Sequence, residues 1–204
     1  MSFYQRRVLP HIINLAMRNR ELRPYRARLL EKAEGRVLEI GIGSGLNLPY
    51  YSRSTREIVA LEPAPELIAM ARRLAAQQSS PVEFLEGSAE AIPLDRHSID
   101  TVVTTWTLCS IPQVAAALAE MRRVLKPQGQ LLFVEHGRAP EQRVREWQDR
   151  LTPIWKRIGG GCHLNRPIQQ LIENAGFSIL DLKTGYLRKG PRPMTFMYEG
   201  RARP

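Results

Sequence analysis

The sequence contains only two cysteines, Cys109 and Cys162, among 204 residues. So few thiols exclude the disulfide framework of a small secreted domain, and we interpret both as reduced side chains packed in the core. No apolar run approaches the length of about eighteen residues that a membrane-spanning helix needs. The first residues also lack the pattern of a signal peptide. These absences lead us to expect a cytoplasmic protein.

Several kinds of binding site are missing as well. No group of His, Cys and carboxylate residues has the sequence spacing of a metal site, so we predict no bound metal. No aromatic and basic signature of an RNA-binding module occurs, so we expect no specific nucleic-acid partner. Nothing in the sequence calls for an obligate protein partner.

The overall composition is that of a globular protein, with 43% apolar and 25% charged residues. We predict one domain over residues 1–204. Within it, 1–34 form a helical lid or cap, 35–136 the cofactor-binding half, and 137–204 the acceptor-side helices and a final hairpin. The net charge is +10, with eight basic and two acidic residues in 1–32. The basic ends also allow a weak association with an anionic membrane, and hence a peripheral location at its surface.

Short apolar runs alternate with helical patterns along most of the chain. Helices are predicted at 65–77, 112–126 and 166–175, and an amphipathic helical segment at 5–32 is divided by Pro10 and Pro24. Such alternation favours a doubly wound, mainly parallel α/β sheet of seven strands. The last two strands, joined without a helix, should form an antiparallel hairpin. The predicted strands are 36–40, 57–61, 82–86, 99–105, 130–135, 177–183 and 193–199.

The stretch "VLEIGIGSGL" places a strand before three alternating glycines, Gly41, Gly43 and Gly45. Glycine lets the backbone turn sharply and approach a ligand closely at the carboxyl end of a parallel sheet. A dinucleotide fingerprint would need a glycine where Leu46 stands. Glu39 would repel a phosphate, but it could face a ligand ammonium group or orient the loop. The stretch therefore indicates a nucleoside ligand without a pyrophosphate.

A second carboxylate has the position of a ribose ligand. Glu62 ends the second predicted strand, a little under twenty residues past the glycines. An acidic residue in this register can accept hydrogen bonds from both ribose hydroxyls. The loop at 87–90, after the third strand, would lie beside an adenine.

Together these elements resemble a class I S-adenosylmethionine-dependent methyltransferase. The motifs are "VLEIGIGSG", "LEP", "GSAEAIPL", "SIDTVVTTWTLCSI" and "RRVLKPQGQLLFVEH", which extend over roughly residues 35–183. The resemblance implies a Rossmann-like fold and S-adenosylmethionine as cofactor, with S-adenosylhomocysteine as product. The cofactor-binding residues that it implies are Glu39, Gly41, Gly43, Gly45, Glu62, Pro63, Ser88, Ala89 and Thr105. Position 88 is commonly Asp in this class, so a serine hydroxyl would replace a charged acceptor there.

A narrower resemblance covers "TLCSI", "FVEHG" and "WQDRLTPIWKRIGGGCHLNRPIQQLIENAGF". These stretches are similar to the small methyltransferases related to the alkyl thiol S-methyltransferases of animals. The similarity implies methyl transfer to a thiol, which reacts as its thiolate. A nearby histidine would increase the thiolate fraction, which makes His136 and His163 the candidate catalytic residues. Trp147, Trp155 and Cys162 are candidates for the wall of an apolar acceptor pocket, or else for the core.

Other functions remain open at this stage. Within methyltransferases, the acceptor could be a phospholipid amine or a quinone-type ring, methylated at carbon or oxygen. Outside them, the alternatives are a dinucleotide oxidoreductase and a non-catalytic RNA-binding module. Leu46 and Glu39 argue against the oxidoreductase, because they do not suit a pyrophosphate.

Overall fold

A computed structural model describes Tyr4 and residues 8–204. One seven-stranded sheet has the order β3-β2-β1-β4-β5-β7-β6, in which β7 runs antiparallel to both neighbours and the other neighbouring pairs are parallel. The predicted doubly wound sheet with an antiparallel last pair is thereby confirmed. The strands are Gly35–Ile40 (β1), Thr55–Glu62 (β2), Val82–Glu86 (β3), Ile99–Thr105 (β4), Leu125–His136 (β5), Ser178–Tyr186 (β6) and Phe196–Arg203 (β7).

The helices cover both faces of this sheet. One interior cluster packs Leu38, Val102 and Phe133 against Leu118 and Ile172. Among the residues described, no helix combines the length and apolar character needed to cross a membrane. The helices are Leu9–Met17 (α1), Arg23–Leu30 (α2), Pro65–Ala75 (α3), Val114–Val124 (α4), Gln142–Ile158 (α5), Ile168–Asn174 (α6) and Arg192–Thr195 (α7).

Two sequence predictions about the sheet need correction. The hairpin between the last strands contains α7, a helix of four residues, where no helix was expected. The fifth strand begins at Leu125 rather than near residue 130, directly after α4. Pro127 and Gly129, expected to form a turn, lie in an irregular part of this strand, because its pairing with β4 passes from Leu125 directly to Gln130.

The segment before the sheet divides at its prolines, as the sequence predicts. Pro10 and Pro24 each occupy the first turn of a helix, where the missing N–H costs nothing. The first part of the expected segment, residues 5–7, lies outside the described residues. In α2, Leu29 and Leu30 are fully buried against β1, β4 and β5, so the helix covers this face of the sheet.

Candidate active site

A cavity of about 310 Å³ opens at the carboxyl ends of β1, β2 and β4. Its size lies at the lower end of the range for small-molecule sites. The lining includes most of the predicted cofactor residues: Gly41, Gly43, Glu62, Pro63, Ser88, Ala89 and Thr105. Glu39 and Gly45 do not line it, and they support the loop from behind.

The glycine loop is open toward the cavity and closely packed behind it. Gly43 has a φ of +57°, and a Cβ there would meet nothing nearer than the carbonyl of Gly41 at 3.9 Å. Its backbone therefore faces open space that a ligand can occupy. Gly45, with a φ of +82°, lies so close to α3 that a Cβ would be 3.0 Å from Cα of Ala71. The two glycines therefore have different tasks, ligand approach and loop packing.

Glu39 is buried beneath this loop. Its carboxylate accepts hydrogen bonds from Asn47 Nδ2 at 2.7 Å and from the Tyr51 hydroxyl at 2.7 Å. Burial raises the pKa of Glu39 to about 7, and the two hydrogen bonds only partly oppose that rise. Of the two roles considered from the sequence, the geometry favours orientation of the loop over direct contact with a ligand.

Glu62 has the geometry of a ligand-binding carboxylate. Its two oxygens accept hydrogen bonds from the backbone N–H of Gly43 at 3.0 Å and of Ala64 at 3.1 Å. These bonds fix the carboxylate on the cavity wall at the end of β2. Burial raises the pKa of Glu62, while both backbone hydrogen bonds lower it. The remaining lone pairs are left for ligand hydroxyls.

The predicted adenine and sulfonium neighbours also line the cavity. The Ser88 hydroxyl donates to Glu90 Oε2 at 2.6 Å and accepts from the Glu90 N–H, so it is held within its own loop. The hydroxyl of Thr105 accepts from Asn47 Nδ2 at 2.9 Å, which links the end of β4 to the glycine loop.

Arg26 is a cavity residue that was not predicted from the sequence. This side chain lines the cavity and is 3% exposed. It donates to Asn47 Oδ1 and to the carbonyl of Met17, both at 3.0 Å, and its guanidinium lies 4.8 Å from the ring centre of Trp106. A signal was present, because Leu22, Arg26 and Leu29 share the buried side of one helical pattern and so place an arginine among core residues.

The first helix also contributes to the cavity. Ile13 and Met17 of α1 line it, and the Ser44 hydroxyl in the glycine loop donates to Asn14 Oδ1 at 2.8 Å. The described part of the N-terminal segment therefore covers one side of the site.

The candidate catalytic and acceptor residues lie away from this wall. His136, His163, Trp147, Trp155 and Cys162 are absent from the lining, although Gly159 and Gly160 belong to it. Trp147 is 54% exposed, so packing in the core is wrong for this side chain. Nε2 of His136 lies 2.9 Å from Cys162 Sγ, and Nδ1 of His163 lies 3.1 Å from the carbonyl of Cys109. Burial lowers the pKa of His163.

The polar groups and the open backbone of the cavity fit S-adenosylmethionine. Glu62 offers a fixed carboxylate suited to vicinal ribose hydroxyls, and Gly43 offers open backbone. The apolar side chains of Leu46, Leu67 and Ile111 also line the cavity, which suits a purine ring.

Comparison with known proteins agrees with this geometry. A family model described as a methyltransferase domain matches residues 38–133. The thiol S-methyltransferase TMT1B of Homo sapiens is 34% identical over 177 residues, which cover 84% of this chain and 70% of the human protein. The protein of the same name from Rattus norvegicus is 36% identical over 151 residues, 72% of this chain and 62% of that protein. The match thus leaves more than a third of the rat protein uncovered.

Solved structures share the fold. A Thermotoga maritima protein described as a SAM-dependent methyltransferase, possible histamine N-methyltransferase, superposes with a TM-score of 0.69. The match covers 98% of this chain and 97% of that chain at 21% sequence identity. At this sequence identity the similarity establishes the fold, whereas the methyl acceptor depends on the residues of the site.

Proposed function

The chain belongs to the family of S-adenosylmethionine-dependent methyltransferases, and on that premise we propose that it methylates the sulfur of a small thiol. Family membership decides against the oxidoreductase and the RNA-binding module. S-adenosylmethionine supplies an activated methyl group on a sulfonium, so the leaving group needs no proton. The work left to the protein is to align the acceptor, favour its reactive ionisation state and exclude water.

Arg26 is the observation that carries the thiol assignment. Among the described residues that line the cavity, Arg26 and Glu62 are the ones whose side chains carry a charge. Glu62 is held by the glycine loop, whereas Arg26 is connected through Asn47 to Thr105, the predicted neighbour of the sulfonium. A buried cation stabilises a thiolate and repels an ammonium group. This environment therefore favours a thiol over an amine acceptor.

Apart from Glu62, which belongs to the predicted ribose site, the described wall holds no base, and this favours the same acceptor. A thiol has a pKa of about 8.5, so a few per cent is already thiolate near pH 7, whereas a phenol or an alkylammonium group loses its proton only near pH 10. With neither His136 nor His163 on the wall, an acceptor that ionises by itself is the best match. Similarity to proteins named thiol S-methyltransferase supports this choice.

The proposal is tested by methyl transfer from labelled S-adenosylmethionine to a panel of alkyl thiols, phenols, amines and phosphatidylethanolamine. We expect S-methylated products whose rate rises with pH toward the pKa of the thiol. Arg26→Met should lower kcat/KM for thiols about tenfold and move the profile to higher pH, since thiolate stabilisation is lost. Arg26→Lys keeps the positive charge, so its kcat/KM should lie between the values of the parent and of Arg26→Met. Turnover of amines or phenols with every thiol unmodified would show that the acceptor class is wrong.

We propose further that an anionic membrane surface is the partner of this enzyme, with α5 in contact with the bilayer. A surface helix normally buries apolar side chains and exposes polar ones, and α5 does the reverse. Its buried residues are Gln148 and Thr152. Three of its apolar side chains are exposed: Trp147 by 54%, Ile154 by 62% and Ile158 by 51%. At 100° per residue these three apolar side chains share one stripe. Arg143, Arg150 and Arg157 recur every seven residues beside it. An apolar stripe bordered by arginines suits an anionic interface.

The same surface continues onto α1 and reaches the cavity. The Tyr4 hydroxyl donates to the carbonyl of Ile158 at 2.8 Å. In α1, Ile12 is 48% and Leu15 75% exposed, while Ile13, one residue after Ile12, lines the cavity. A bilayer on this face would therefore lie near the cavity, and a lipophilic thiol could enter directly from it.

Vesicle sedimentation tests the membrane proposal. We expect binding to phosphatidylcholine vesicles that contain phosphatidylserine, weakened at high salt. Ile154→Gln with Ile158→Gln should weaken binding about tenfold or more, because two apolar side chains no longer enter the interface. Leu180→Gln, at an apolar residue 45% exposed on β6, is the matched control and should bind as the parent does. Equal binding of all three proteins, or a stable dimer in place of vesicle binding, would contradict the proposal.

A further inference from the structure

Two thiols and an imidazole meet beside the loops after β4 and after α5, which contribute Ser110 and Gly160 to the cavity wall. Cys109 follows β4, His136 ends β5, and Cys162 follows α5. Nε2 of His136 lies 2.9 Å from Cys162 Sγ, and one ligand atom from each of the three residues lies within 4.8 Å of the other two. No sequence motif indicated this group, because its members come from three distant segments.

We propose that Cys109, His136 and Cys162 bind a zinc ion. Thiolate sulfur and imidazole nitrogen are the donors that zinc prefers, whereas magnesium and calcium require oxygen ligands. In a tetrahedral zinc site the bond lengths place sulfur and nitrogen ligands roughly 3.5–3.8 Å apart. The present spacing requires His136 and Cys162 to separate by less than about 1 Å, a movement that side-chain rotation supplies.

Charge balance suits this buried position. Cys109 is 2% and Cys162 9% exposed. The two negative charges of the thiolates balance the two positive charges of zinc, and the imidazole is neutral, so the loaded centre carries no net charge into the interior. On binding, two Zn–S bonds and one Zn–N bond form, water ligands leave the ion, and the two thiol protons pass to solvent. A fourth position stays open for water or another small ligand.

The ion would fix the two loops after β4 and after α5 that line this part of the cavity. The His163 N–H donates to the carbonyl of Cys109 at 2.8 Å, and Arg166 Nη2 donates to the carbonyl of Ile111 at 2.7 Å. These bonds already join the loop after β4 to the loop after α5. Ser110 and Gly160 in these loops line the cavity. Zinc would therefore set the spacing of this wall without touching the acceptor.

Metal binding by the purified, reduced, chelator-treated full chain tests the inference without cofactor or acceptor, so its outcome is independent of the proposed methyl transfer. With Co²⁺ as a probe, we expect one equivalent to give the intense sulfur-to-cobalt absorption of tetrahedral thiolate coordination, which Zn²⁺ then displaces. Zinc at 100 times its Kd should raise the Tm by about 5–10 °C for a chain of this size.

The matched variants separate this centre from surface binding. The double variant Cys109→Ser, Cys162→Ser should lose both the absorption and the Tm shift. His97→Asn, which alters an exposed histidine of positive φ outside the cluster, should keep both. Because the cysteine variant could fail to fold, the cobalt spectrum of the parent is decisive by itself. No thiolate absorption with both cysteines reduced, or a disulfide between them that persists as the stable form with excess zinc and a thiol reductant, overturns the proposal.

Discussion

Replacing Glu62 with glutamine is expected to weaken the binding of S-adenosylhomocysteine by about 100-fold or more. A carboxylate that accepts from two ribose hydroxyls contributes about 1.5–3 kcal/mol per hydrogen bond. Glutamine keeps the shape but offers one acceptor oxygen and one NH₂ group, so it cannot accept from both Gly43 and Ala64 and still serve the ribose. The glycine loop then loses its anchor together with the cofactor. Titration calorimetry with S-adenosylhomocysteine measures the effect.

Glu86 provides a closely matched control. It pairs with Glu62 in the parallel register of β2 and β3, it also ends its strand, and it is exposed. Glu86→Gln should bind S-adenosylhomocysteine as the parent does. The thermal unfolding of both variants shows whether a loss of binding reflects the site or the fold. Affinity of the Glu62→Gln protein within threefold of the parent would remove Glu62 from the cofactor site.

The second large effect concerns Glu39 and pH. Its pKa is about 7 in the folded chain, against an ordinary value of 4.5, because burial penalises the charged form. Between these two pKa values the folded state therefore binds more protons than the unfolded state. The stabilisation that protonated Glu39 contributes is complete below pH 4.5 and is lost as the pH rises through 7. The loss amounts to about 3 kcal/mol in the free energy of unfolding. Urea unfolding at pH 5 and pH 8 measures it.

Glu39→Gln should remove the part of the pH dependence that comes from Glu39, because the amide keeps the burial without the charge. Burial also raises the pKa of Glu135 to about 8, so the variant keeps the part that comes from Glu135, and the difference between parent and variant measures Glu39 alone. The charged and titratable groups that face Glu39 are Arg26, Tyr51 and Glu62, and they remain in the variant. Glu146→Gln, at an exposed position on α5, should retain the slope of the parent. If the Glu39→Gln protein loses stability between pH 5 and pH 8 as steeply as the parent, another group is responsible.

Local patterns predicted the sheet and the cofactor residues because both depend on short-range features. A parallel strand buried on two faces appears as a continuous apolar run, as in residues 58–61 of β2, and Glu62 at its end lies at the ligand edge. The spacing of Glu62 from the glycines therefore sufficed to place it on the cavity wall. The boundaries of β5 and β7 were less accurate. Pro127 and Gly129 resemble a turn locally, whereas the pairing of Leu125 with Ile99 of β4, which extends the strand beyond them, is not visible in a window of sequence.

For the candidate catalytic and acceptor residues, local sequence patterns did not predict the surroundings of the side chains. His136 and His163 were plausible bases by residue type, but burial and loop packing direct them to Cys162 and to the backbone of Cys109. Trp147 had the spacing of a core residue, yet the side of α5 that packs inward is the one with Gln148 and Thr152. Helical periodicity defines the faces of a helix, but which face is buried depends on the neighbouring elements.

The sequence by itself determined the family and the strand-end positions of residues such as Glu62, since these follow from contiguous motifs, and it predicts S-adenosylmethionine as the cofactor. Only the tertiary structure decided that Arg26 enters the cavity, that Glu39 stands behind the loop, and that Cys109, His136 and Cys162 meet. The physical reason is that these groups are distant in the chain, and side-chain packing in three dimensions brings them together.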